Sequence, residues 1–84
     1  MTNQEIKQAA LDKGFTQVVI LMTVVVVILF KDTCFHIVFR EEKFLVEFYF
    51  LNKAHLFEYQ DLSKLLEDIK TDNIFLNKNN INGK

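Results

Sequence analysis

Proline and tryptophan are absent from this chain, cysteine occurs once and glycine only twice. Scarce glycine and missing proline argue against a flexible linker or low-complexity tract. Gly14 and Gly83 stand alone, so no glycine-rich loop can cradle a phosphate or supply an oxyanion hole. Cys34, the single cysteine, excludes a disulfide within the chain and fits a reducing compartment, so a cytoplasmic location is expected. A marked excess of either charge is missing too. Ten basic and eleven acidic residues leave a net charge of −1, and residues 1–15, 31–60 and 61–84 sum to 0, −1 and 0. No segment would steer nucleic acid or anionic lipid by its field.

What is present is apolar. Half of the 84 residues are hydrophobic and nine are Phe. Aromatic side chains bury large areas, so one small core is feasible without disulfide or metal staples. The longest uncharged run, residues 14–30, contains the near-continuous apolar stretch VVILMTVVVVILF, residues 18–30, flanked by neither aromatic belts nor a basic cluster. It is shorter than the roughly 20 residues a membrane helix needs. Its start, MTNQEIKQAALDKG, has no basic region of the secretory type. Eight of the thirteen residues are Val or Ile, whose branched side chains suit a strand covered on both faces. As one strand it would extend about 43 Å, against a diameter of about 30 Å for a compact chain of this size. It must therefore bend, break or overhang. Thr23 marks the expected bulge or break, and an overhang covered by a second copy makes a homodimer a partner to consider.

Residues 3–13 read as a helix, capped at Thr2 or Asn3 and ended by Gly14. CFHIVFR and KFLVEFYFL alternate in the manner of half-buried strands. Paired as a hairpin, they set Phe39 opposite Phe44, Ile37 opposite Val46 and Phe35 opposite Phe48, all on one face. The other face pairs Val38 with Leu45, His36 with Glu47 and Cys34 with Tyr49. Glu41 and Glu42 lack the left-handed tolerance of a tight turn, so a four-residue loop from Arg40 to Lys43 is the easier connection. HLFEY offers a short fourth strand. DLSKLLEDIK follows as a helix capped by Asp61, with Leu62, Leu65, Leu66 and Ile69 on one stripe. IFL is expected to add an edge strand, dock on the core or cover the outer sheet face, and 77–84 reads as a disordered polar tail. The expected fold is a two-layer α+β domain over 1–76: an N-terminal helix, an antiparallel sheet of three to four strands and a C-terminal helix packed on one face.

The order of helix, three strands and helix resembles the double-stranded RNA-binding domain in outline. That family carries a basic cluster at the start of its final helix. Here the same place is opened by Asp61, and Lys64 is answered by Glu67 and Asp68, so the functional motif is missing. A nucleic-acid-binding module is the alternative reading, with Tyr49, Phe57 and Tyr59 as the rings that would stack bases. A membrane-associated protein using 18–30 is a third.

Candidate chemistry is thin. Cys34, His36, Glu47 and His55 are residue types that ligate zinc, but their spacing equally describes a cross-strand His–Glu pair beside a packing cysteine. A Cys34–His36 nucleophile would need a cleft and an orienting partner that the sequence does not supply. The chain is thus expected to be no enzyme and to take neither cofactor nor metal. Its anomaly is the sheet face turned away from the helices, where Val38, Leu45 and Tyr49 are rimmed by Arg40 and Glu47. Contiguous apolar surface rimmed by charge points to a protein partner. The expected function is a small non-enzymatic interaction domain, an inhibitor or regulator of phage or mobile-element type. An anti-defence inhibitor such as an anti-CRISPR protein is one instance, by analogy of size and architecture.

Overall fold

The computed structural model describes residues 1–77. Helix α1 spans Asn3–Asp12 and opens with a capping box. Glu5 N–H donates to Thr2 Oγ1 at 3.1 Å, and Thr2 N–H donates to Glu5 Oε1 at 2.8 Å. These bonds satisfy donors that a helix start leaves bare, and they hold the Glu5 carboxyl below its usual range. Gly14, at φ +107°, lets the chain reverse after the helix. Five antiparallel strands follow in meander order: β1 (Val18–Leu21), β2 (Val25–Phe30), β3 (Thr33–Arg40), β4 (Lys43–Phe50) and β5 (Lys53–Tyr59). Helix α2 (Leu62–Lys70), with Asp61 as N-cap, and a 3-10 helix (Asn73–Leu76) complete the described chain.

The hairpin register inferred from alternation is the one observed: Phe39–Phe44, Ile37–Val46 and His36–Glu47 are partners across β3 and β4. Both helices lie on the Phe-rich face. Ile6 and Ala10 from α1 and Leu62, Leu65, Leu66 and Ile69 from α2 join Phe35, Ile37, Phe44, Val46, Phe48 and Phe57 in one buried cluster. The α2 stripe is buried at every position its 3.6-residue period marks. Lys70 ties the two helices together, donating to the Lys13 carbonyl at 2.8 Å while standing 5.0 Å over the Phe15 ring.

Two expectations are corrected, and one choice among alternatives is resolved. The sheet has five strands, not three to four, because 18–30 is itself a hairpin: Met22, Thr23 and Val24 form its turn, and Leu21 pairs with Val25. Extents of 32 × 28 × 23 Å cannot hold a straight thirteen-residue strand, and folding it back puts Val18, Ile20, Val26 and Ile28 on the core side together. The overhang that a second copy would have covered does not arise. Next, β3 and β4 are joined by two residues and not by a four-residue loop, with Glu41 at φ +53° and Glu42 at φ +64°. The right-handed twist of the strands favours this mirror-image turn even where side chains resist it. Finally, of the alternatives for IFL, docking on the core is the one observed; it forms neither an edge strand nor a cover for the outer face. Ile74 is fully buried in the core, and Phe75 packs 4.3 Å from Phe50 and 5.5 Å from Phe48. The expected disordered tail lies, but for Asn77, outside the described residues.

Candidate interaction face

Because the strands alternate, one side chain in two along each strand leaves the core side of the sheet. The register arranges these outer residues in rows. Val19, Val27, His36, Glu47 and Leu56 form one continuous row from β1 to β5. Beside it run Leu21 and Val25, then Val38, Leu45 and Glu58. Leu29 pairs with Cys34 and Tyr49 with Ala54 on the far side, while Arg40 pairs with Lys43 at the β3–β4 turn. No helix among the described residues covers this face. Tyr49 is 70% exposed, Val19 50% and Leu21 48%. Val27 is buried by its outer-face neighbours and takes no part in the core cluster.

The five residues marked from sequence therefore lie on one surface. Val38 and Leu45 are half-buried partners at its centre, Tyr49 stands out from it, and Arg40 and Glu47 are exposed two residues to either side along their strands. Less legible was the share of β1, β2 and β5: Val19, Leu21, Val25, Leu29 and Leu56 extend the apolar area well beyond the central hairpin. Lys43 Nζ reaches Glu58 Oε2 at 2.8 Å, and that hydrogen bond and charge hold the lysine above its ordinary range. Among the described residues, neither Arg40 nor Glu47 enters an ion pair.

Cys34, His36, Glu47 and Tyr49 line a groove of about 450 Å³ on this face. His55 is turned to the other side of the sheet, half-buried, with its ring stacked 5.3 Å from Phe48. The four potential zinc ligands are thus split, and among the described residues no three His, Cys, Asp or Glu side chains are grouped to hold a metal. The base-stacking set is split in the same way: Phe57 and Tyr59 are buried on the helix side, and only Tyr49 faces solvent. No helix among the described residues is long and apolar enough to cross a membrane.

Two other places hold polar groups or space. A cleft of about 450 Å³ lies between the 3-10 helix and the sheet end, walled by Phe30, Phe35, Phe50 and Phe75, with the Lys31–Asp72 ion pair (3.1 Å) at its rim. Behind β5, the buried Asp68 carboxylate accepts from Tyr59 Oη at 2.7 Å and is approached by Lys64 Nζ at 3.0 Å. Asn77 Nδ2 donates to the same Tyr59 oxygen at 3.2 Å. Burial, and then the bond to Asp68, push the Tyr59 hydroxyl well above its ordinary pKa. This cluster fastens α2 to β5: Asp68 Oδ2 is bonded to Tyr59, while Oδ1 has the Lys64 ammonium as an ion-pair neighbour and, among the described residues, no hydrogen bond. Comparison of the chain with family models, with curated proteins and with solved structures finds no match.

Proposed function

We propose that this chain is a small non-catalytic interaction domain that docks a protein through the outer face of its sheet. The observation that carries this reading is the uncovered apolar area from β1 to β4, centred on Val38 and Leu45 and bordered by Arg40, Lys43 and Glu47. Soluble proteins rarely leave contiguous apolar surface open, and an apolar centre with a charged rim is the usual composition of an interface. Tyr49, large and amphipathic, has the character of an interface anchor. A cytoplasmic setting fits the lone thiol. Within this class, an inhibitor or regulator carried by a phage or mobile element, such as an anti-defence protein, is the instance that size and architecture suggest.

The test is in-cell photo-crosslinking. A photoreactive residue at Tyr49 should capture a discrete protein, whether another copy or a different chain, while one at Gln4 on the exposed side of α1 should not. Tyr49→Arg should abolish that contact at an unchanged melting temperature, because the side chain stands outside the core. Capture from Gln4 alone, or none from either position, would sink the reading.

A further inference from the structure

Charge is distributed along β4 in a self-complementary way. Its outer-face side chains run Lys43, Leu45, Glu47: basic, apolar, acidic, at two-residue steps. β3 matches the first two steps with Arg40 and Val38 but carries His36, which is not acidic, where β4 has Glu47, so the charge complementarity rests on β4. Each step is about 6.6 Å along a strand. Suppose a two-fold axis lies in the plane of this face and runs across the strands along the Leu21, Val25, Val38, Leu45 row. That operation reverses each strand on itself. Leu45 then meets Leu45 of the second copy, Val38 meets Val38, and Lys43 lies over Glu47 of the second copy, twice by symmetry. Arg40 falls over the opposite His36, next to the same Glu47.

Other placements are worse. An axis running along the strands would stack the basic row of Arg40 and Lys43 over the basic row of the other copy. Moving the cross-strand axis one residue over would set Leu45 against Glu47 and bury an unpaired carboxylate. Glu58 ends the same row on the edge strand and so comes to lie over Glu58 of the second copy; the Lys43 ammonium beside it offsets that repulsion and is shared between Glu58 of its own copy and Glu47 of the other.

We infer that the occupant of this face is a second copy of the chain, held by β4 packing antiparallel over β4 with Lys43–Glu47 pairs between copies. This rests on the outer face being a protein-docking surface. Four strand spacings by eight residues give a patch of roughly 19 by 26 Å, or about 1,000 Å² for the two copies together. That is at the lower bound for a specific interface, so the dimer is weak and depends on concentration.

The experiment is sedimentation equilibrium of the full chain from micromolar to millimolar concentration, with two charge-reversal variants. Glu47→Lys places lysine over lysine and Lys43→Glu places glutamate over glutamate, so each alone should dimerise at least about tenfold more weakly than the wild type. An equimolar mixture should recover wild-type affinity within about threefold, because the mixed pair restores both contacts. Thermal melts of the separate variants verify folding, which matters for Lys43→Glu because it also loses the bond to Glu58. A wild type monomeric at millimolar concentration, variants that dimerise normally, or a mixture no better than its components would overturn the inference. If the wild type stays monomeric while Tyr49 crosslinks to a different protein, the docking reading stands and the second copy is excluded. If it stays monomeric and Tyr49 captures nothing, both fall.

Discussion

The β3–β4 turn offers the sharpest check on the fold, because two competing geometries predict opposite signs for one double substitution. Glu41 and Glu42 both occupy left-handed backbone, at φ +53° and +64°. For an L-residue with a side chain that conformation costs about 1–2 kcal/mol each. Glu41→Asn/Glu42→Gly supplies the pair that a type I′ turn favours. Glycine removes the steric cost at 42 but adds about 0.5–1 kcal/mol of chain entropy to the unfolded state, and asparagine at 41 keeps part of its strain. The net expectation is a gain of about 1 kcal/mol, or a melting temperature higher by about 4–8 °C for a domain of this size. Circular dichroism melts and urea titrations of the two proteins measure it directly. In a four-residue loop with Glu41 and Glu42 in right-handed conformations, the same change would lower stability by the glycine entropy alone. A flat or negative result would therefore refute the two-residue turn.

Three further outcomes follow from the packing. Gly14→Ala should cost about 1–3 kcal/mol, because φ is +107° there and the new Cβ would collide with Lys70 Nζ, dislodging it from the Lys13 carbonyl; denaturant midpoints measure this. Phe48→Ala should cost about 3–5 kcal/mol, since the ring is buried between Phe35, Phe57 and Phe75, and a variant folded as well as the wild type would contradict the core described above. Tyr59→Phe should cost about 1–3 kcal/mol by depriving buried Asp68 of a donor. It should also change the alkaline limb of stability. The folded pKa of Tyr59 lies above the unfolded value near 10, so its contribution is complete below pH 10 and is lost as pH rises beyond it. Lys43 declines in the same window, so the component missing from Tyr59→Phe, at most about 1.4 kcal/mol per pH unit, isolates the tyrosine.

Much of this molecule could be read directly from the order of its residues, for a local reason. The stripe of Leu62, Leu65, Leu66 and Ile69 makes sense only at 3.6 residues per turn, and the alternation around Glu41–Glu42 only at two. A strand slipped by one residue would turn every Phe to the wrong side, so periodicity, together with the short connection at Glu41–Glu42, specified the register of β3 on β4. The same alternation put Val38, Leu45, Tyr49, Arg40 and Glu47 on one face before any contact was known. Tertiary structure decided what periodicity leaves degenerate. In 18–30 nearly every residue is apolar, so neither face is marked, and Thr23 signals a break without saying whether the chain bends, bulges or turns back there. The confines of a small domain, and the core that Val18, Ile20, Val26 and Ile28 share with α1, selected a hairpin at Met22–Val24. The sheet's twist chose the two-residue turn over the sterically easier loop. The side of the sheet on which His55 lies depended on the length of the turn at Leu51–Asn52, and that separated it from Cys34, His36 and Glu47. Burial of Asp68 likewise followed from β5 arriving with Tyr59 to meet it, a meeting between residues nine apart whose outcome only the packed chain determines.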